Sequence, residues 1–459
     1  NGRHDRVLRQ QRVELQRQQR QLEQQQQEQH ARDSPGLRIS KDKVNMVSLQ
    51  EVFEAYYDCR RNKRSTEETI KFELNFESNC IGLWNDINDR QYRPSKSIAF
   101  IVTKPKRREI FAASFRDRVL HHFIDIKLRP LIEKDLIEKT CNNRKGKGTS
   151  ACVNYLREDI RDVSENYTKS CWVSKLDMKG FFMSIRKDIL TMKILEYVDV
   201  RYMGDDKEDL KWLLGIVIND HPEKNCILKS PWSEWEKLNR NKSLFWIGDV
   251  FGIPIGNLIS QLLANFYLND FDHYVTCNLG FKHYGRYVDD FYLVDTDKSK
   301  MLNSIPFMRA KLTEIGVTLH PDKFYMQHYT KGIEFVGSVL KTKRIYVHNR
   351  TINNAYEAIN KLNNVKRKED SIERFVAVIN SYLGFMKNKD TYAIRRRLIN
   401  KVSCDWFRYV FIEGRFEKVV IKREFREKVI IKNRLNNERK SRISERKGRG
   451  YFRIKSHSL

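Results

Sequence analysis

The sequence predicts an α+β fold in which helices pack on an antiparallel sheet, and three observations carry that reading. A strand-like run, CWVSKLD at 171–177, ends in Asp177. A second run, YGRYVDDFYLVD at 284–295, sets β-prone aromatic and apolar residues on both sides of Asp289 and Asp290, which places the two acids at the tip of a hairpin. Between them, GIPIGNLISQLLANFYLNDFDHYV at 252–275 turns into a helix. Its apolar residues Ile259, Leu262, Leu263, Phe266, Tyr267, Phe271, Tyr274 and Val275 recur at intervals of three and four, so one face packs on a sheet.

The other elements follow in chain order. Residues 1–40 are rich in Gln and Arg and hold no aromatic residue; Leu8, Leu15 and Leu22 fall at heptad spacing, but the complementary positions are polar, which argues against a coiled coil. This segment reads as a solvated helix or disorder. From residue 41 the pattern is globular. VSLQEVFEAYYDC at 47–59 and the segment around IGLWNDI at 81–87 read as amphipathic helices. AFIVTKPKRREIFAAS at 99–114 reads as two short strands joined by the basic turn Lys104-Pro105-Lys106-Arg107, and the periodic run VLHHFIDIKLRPLI follows Arg116. NRKGKGTSACVNYL at 143–156 lacks the spacing of a phosphate-binding P-loop, so Thr149 or Ser150 is expected as a helix N-cap. SIERFVAVINSYLGFMK at 371–387 and a stretch from Tyr392 to Phe411 complete the amphipathic helices.

Charge narrows the partners. The 459 residues hold 87 Lys plus Arg against 59 Asp plus Glu, a net charge of +28, which favours a polyanion through counterion release. From residue 413 to the end the excess is concentrated, and that stretch is expected to bind structured RNA or phosphate backbone. No run approaches 18 apolar residues, so no membrane span is expected, and a soluble intracellular protein is. The 8 cysteines form no CxxC pair, which argues against a zinc ribbon and a disulfide framework.

Asp177, Asp289 and Asp290 suggest the chemistry. Like charges a few ångströms apart raise each other's pKa, so adjacent acids between apolar strands call for a cation. A strand-end Asp followed by an Asp-Asp hairpin is the layout of a two-metal polymerase site, in which two hard cations about 4 Å apart activate a 3′-hydroxyl and stabilise departing pyrophosphate. Asp177 and Asp289 are assigned as the principal ligands and Asp290 as the third. Two Mg²⁺ ions suit an all-oxygen shell, with Mn²⁺ as a substitute.

Five motifs in order, LDMKGFF at 176–182, GIPIGNLISQ at 252–261, YVDDF at 287–291, LHPDKFYMQ at 319–327 and FVGS at 335–338, resemble those of reverse transcriptases. The resemblance implies a right-hand polymerase: fingers with the first part of the palm over 41–170, an antiparallel-sheet palm over 171–345, an α-helical thumb over 346–412 and a basic tail over 413–459. It implies roles for single residues as well. Lys104, Arg107 and Arg116 would grip the incoming triphosphate, and Phe182 would exclude a ribose 2′-hydroxyl. Ile255 and Gly256 would line the nascent pair, Lys323 would be the general acid for pyrophosphate, and Phe335, Val336, Gly337 and Ser338 would form the primer grip.

Ile255-Gly256 stands where many retroviral and group II intron enzymes carry Gln-Gly, and the IGNLISQ form is most similar to diversity-generating retroelement reverse transcriptases. That branch implies error-prone copying of a template-repeat RNA into cDNA for mutagenic retrohoming. Its partners would be a DNA or RNA primer, deoxynucleoside triphosphates and a small basic accessory protein, with no membrane, in a bacterial cytoplasm or from a phage. Two alternatives stay open: an antiphage-defence reverse transcriptase using a dedicated noncoding RNA, and a catalytically inactive RNA-binding scaffold.

Overall fold

The computed structural model describes residues 46–61, 67–103 and 106–427; the expected extension at 1–40, Lys104 and the tail beyond 427 lie outside these. The first helix, α1 (Leu49–Arg60), starts at a reciprocal cap in which the Ser48 side chain accepts from the Glu51 amide and Glu51 accepts from that of Ser48. Helices α2 (Glu67–Leu74) and α3 (Phe76–Asn88) follow, then strands β1 (Ser97–Val102) and β2 (Arg108–Ala112), paired antiparallel as the sequence suggests. Helix α4 (Phe115–Asp135) is the long spine against which α1 packs.

Helix α5 spans Thr149–Val163, so the N-cap is Gly148 rather than Thr149 or Ser150. Both hydroxyl residues already lie inside the helix, and no side chain caps it. Strand β3 (Trp172–Asp177) leads into a single turn, α6 (Phe181–Ser184), then α7 (Lys187–Arg201) and α8 (Lys207–Ile218). A short strand, β4 (Cys226–Leu228), returns to pair parallel with β1. A helical turn, α9 (Ser233–Glu236), precedes α10 (Leu258–Tyr267) and α11 (Asn269–His273). The expected single helix to residue 275 is thus interrupted at Leu268. Helix α10 lies along α4 and shares an apolar cluster with Leu176, Phe291 and Leu293 of the sheet, and α11 adds Phe271, which meets Phe291 edge-on at 5.5 Å.

Strands β5 (Tyr284–Tyr287), β6 (Asp290–Asp295) and β7 (Tyr325–His328) complete a four-stranded antiparallel sheet of order β5-β6-β3-β7, with α12 (Lys298–Glu314) between β6 and β7 in sequence. Alternation along a strand sorts its residues to two faces. Phe291, Leu293 and Leu176 join one apolar cluster with Phe271 and Tyr284. Val173, Tyr292 and Val294 face the other way, into a cluster with Val153, Leu156 and Ile160 of α5. Both faces are therefore covered over the body of the sheet.

The chain continues as a three-stranded sheet, β8 (Ile333–Phe335), β9 (Ser338–Lys341) and β10 (Arg344–Val347), then α13 (Asn349–Asn363), α14 (Ile372–Lys387) and α15 (Tyr392–Ile399). Their apolar faces meet in a cluster centred on Phe375, whose ring stacks on Trp406 at 4.1 Å. The expected amphipathic helix from Tyr392 to Phe411 ends at Ile399, and Phe411 lies in strand β11 (Val410–Glu413), paired with β12 (Lys418–Ile421). Two β-branched runs around a turn with Gly414 at φ 63° favour a hairpin. Asn380 of α14 pins it, accepting from the Val419 amide at 2.7 Å and donating to its carbonyl at 2.8 Å. Ordered chain thus runs past residue 413.

Candidate active site

Register brings two of the three acids together. In the β3–β6 ladder Asp177 stands opposite Asp290, and directly opposed residues of an antiparallel pair project on one face. Asp289 sits one step back, in the two-residue turn between Tyr287 and Asp290, and its carbonyl accepts from the Met178 amide at 3.3 Å. The end of β3 is held on its other side as well: the His320 amide donates to the Asp177 carbonyl at 2.8 Å, and the Lys179 amide to the Thr318 carbonyl at 2.8 Å.

The electrostatics follow from this crowding. Loss of hydration, then the neighbouring Asp290 and Asp177 carboxylates, push the Asp289 carboxyl up to about 7. Asp290 is also raised, by desolvation and by Asp177, against the pull of Lys106, Lys175 and Lys323. The Lys323 ammonium pairs with the Asp177 carboxylate. Three hard oxygen donors at one sheet end with a surplus of negative charge suit a divalent cation by their chemistry. Asp177, Asp289 and Asp290 would hold it.

A pH dependence follows, with its sign set by the raised carboxyl. Below its pKa Asp289 is protonated and must shed a proton to ligate, so Mn²⁺ affinity should fall by up to about tenfold per pH unit below pH 7 and level off above it. Titrating Mn²⁺ between pH 5.5 and 8 checks this; an affinity flat across that range contradicts it.

The other expected residues are distributed unevenly. Arg107 pairs with Glu234, and Arg116 with Asp86 while its guanidinium stacks 4.8 Å from the Tyr92 ring centroid; the structure brings neither to the carboxylates. From the segment around β2, the cations whose fields reach them are Arg108, which acts on Asp289, and Lys106, which acts on Asp290 beside Lys175 and Lys323. Alternation along β2 explains why: buried Glu109 and Phe111 turn inward, where Glu109 accepts from the Trp235 indole at 2.7 Å and the Leu244 amide at 2.8 Å, while exposed Arg108 turns out. Counting alternate residues back from Phe111 puts Glu109 and Arg107 on the inward face and leaves Arg108 on the other, a signal present in the sequence. Lys175 was also missed. It shares the Asp177 face of β3, its ammonium lies 4.6 Å from the Tyr325 ring centroid, and burial lowers its pKa.

Phe181 is core, whereas Phe182 is half-buried, edge-on to it at 5.5 Å, with its carbonyl accepting from the Ile253 amide at 3.0 Å. Ile255 packs on the cluster of Phe111, Trp235 and Leu244, and its carbonyl accepts from Phe111 at 3.0 Å. Gly256, at φ 124°, is required by β2 itself: a Cβ there would meet Ile110 Cγ2 at 2.8 Å and the Phe111 carbonyl oxygen at 3.2 Å. The missing Cβ thus makes room for the chain's own strand. In the FVGS hairpin Phe335 and Ser338 are buried, Val336 and Gly337 form the tip at φ 37° and 79°, and Phe335 meets Tyr292 edge-on at 5.3 Å. Tyr292 is two residues from Asp290, so this hairpin covers the carboxylate face of the sheet.

Elsewhere among the described residues, His221, Glu223 and Asp249 bring their ligand atoms within 4.8 Å of one another, closer than the three aspartates do, with the Lys224 ammonium 2.6 Å from Asp249. No described helix is long and apolar enough to cross a membrane.

The family model for "Reverse transcriptase (RNA-dependent DNA polymerase)" matches residues 96–340. Protein YkfC of Escherichia coli (strain K12) is 21% identical over 285 residues, covering 55% of this chain and 68% of that protein. The structure of telomerase from Candida albicans in complex with a TWJ fragment of telomeric RNA aligns at 14% identity with a TM-score of 0.39, over 69% of this chain. This chain spans 57% of the length of that telomerase chain.

Proposed function

The chain belongs to the reverse transcriptase family, and from that premise we propose that it is an RNA-directed DNA polymerase that extends a DNA or RNA primer with deoxynucleotides on an RNA template. The observation that carries the reading is the opposition of Asp177 and Asp290 across two strands with Asp289 in the adjoining turn. When bound there, Mg²⁺ or Mn²⁺ would neutralise charge at the transferring phosphate and acidify the primer hydroxyl. The chain's own part is to hold three carboxylates on one rigid sheet end. Lys323, whose ammonium lies on Asp177, would donate a proton to the leaving pyrophosphate.

In this reading the four-stranded sheet is the palm, β1, β2 and the helices around them are the fingers, and the α13–α15 cluster with its β11–β12 hairpin is the thumb. Lys106 and Arg108 take up the triphosphate beside Lys104, since Arg107 and Arg116 are engaged with Glu234 and Asp86. Phe182 screens the sugar, and the FVGS tip steadies the primer end. The basic residues from 413 onward track the RNA backbone.

The finer assignment is an error-prone enzyme of a diversity-generating retroelement, copying a template-repeat RNA. Ile255 supports it. This side chain rests on an apolar cluster and offers no hydrogen bond to a base or sugar, so the nascent pair is held by shape alone. Ile255→Gln should lower misincorporation opposite template adenines by about tenfold, read by sequencing cDNA from one RNA template; equal error rates would remove the retroelement assignment. The activity itself is tested by supplying the chain with RNA, primer, deoxynucleotides and Mg²⁺. Failure to extend any primer on RNA would overturn it.

A further inference from the structure

The turn that carries Asp289 is strained, and two buried side chains grip it. Val288 has φ 60°, a left-handed conformation that a β-branched residue adopts only under constraint. Its amide donates to Asn142 Oδ1 at 3.0 Å, and its carbonyl accepts from the Arg286 guanidinium at 2.9 Å. Neither grip is free to move. The Asn142 backbone carbonyl accepts from Asn265 at 2.9 Å, and Arg286 lies fully buried on Asp272 with contacts of 2.6 to 3.0 Å.

We propose that Asn142 and Arg286 are positioning residues that clamp Val288 in this conformation and so hold the Asp289 carboxylate beside those of Asp177 and Asp290. The inference rests on the polymerase reading above. Without the clamp a valine relaxes towards the extended or right-handed region, which rotates the next residue; a glycine at 288 has no such preference. Asn142 is therefore the informative residue, because Arg286 also supports the core.

The test compares native chain, Asn142→Ala, Val288→Gly and the double variant, by primer extension on RNA and, apart from activity, by Mn²⁺ titration. In the valine background Asn142→Ala should lower kcat about 30-fold with KM for deoxynucleotide nearly unchanged, and weaken Mn²⁺ about tenfold. In the Val288→Gly background the same substitution should cost less than about threefold in each. A merely structural role predicts equal losses in both backgrounds, and that result, or no loss at all, overturns the clamp. If the native chain extends no primer, the polymerase reading fails while the Mn²⁺ pattern still decides the clamp.

Discussion

Asp289→Ala should abolish primer extension, with a loss of at least about a thousandfold in kcat, while the chain keeps its fold and its affinity for RNA. The reason lies in where the charge is spent. Asp289 is only partly exposed, and its carboxyl is already raised to about 7 by desolvation and by Asp290 and Asp177, so in the absence of cation it is an electrostatic burden on the sheet end. Removing it relieves that burden and should leave the melting temperature unchanged or slightly higher near neutral pH. It also deletes a ligand that water cannot replace with the same charge or position. Extension assays, thermal melts and filter binding to RNA on one preparation read all three quantities. An Asp289→Ala chain that extends a primer within tenfold of the native rate would place the chemistry elsewhere. One that loses activity by unfolding would show the acid to be structural.

The largest stability effect should come from Asp272→Ala. The Arg286–Asp272 pair is fully buried, with Nη2 to Oδ2 at 2.6 Å, and Asp272 also accepts from the Thr140 hydroxyl at 3.1 Å and from the Tyr284 hydroxyl. Truncating one partner leaves the other charge in a medium that cannot solvate it, at a cost of about 3–5 kcal/mol. The expected observation is a large fall in the urea midpoint. Replacing both partners by apolar residues of similar volume should recover much of the loss, because the isolated charge rather than the missing attraction dominates. A midpoint for Asp272→Ala close to native would mean that the guanidinium finds water. The pair lies beneath the Asp-Asp turn, so the same contact joins the stability of the sheet to the placement of its acids.

Much of the architecture was legible in the sequence because it rests on local periodicity. The period of two placed β3, β5 and β6, and the recurrence of apolar residues at three and four located α1, α4, α10 and α14. Asp177, Asp289 and Asp290 were visible because acids at the ends of apolar strands are costly without a counter-charge. The helix expected across Tyr392 to Phe411 was misread since VFIE and KVVI reveal themselves as strands only once paired with each other. The family resemblance implies Arg107 and Arg116 for the triphosphate, and it does not reveal that one residue at the start of β2 separates Arg107 on Glu234 from Arg108, which acts on Asp289.

By itself the sequence determined the kind of chain, a basic α+β protein with three acids on neighbouring strands in the order its family shares, because composition, periodicity and motif order are properties of the chain read one residue after another. Tertiary structure alone decided which cations face those acids, that Gly256 answers to strand β2, and that Asn142 and Arg286 hold the turn at Val288. Apart from Arg286 on Val288, these are contacts between residues more than 100 positions apart, and only register and packing determine which of them meet.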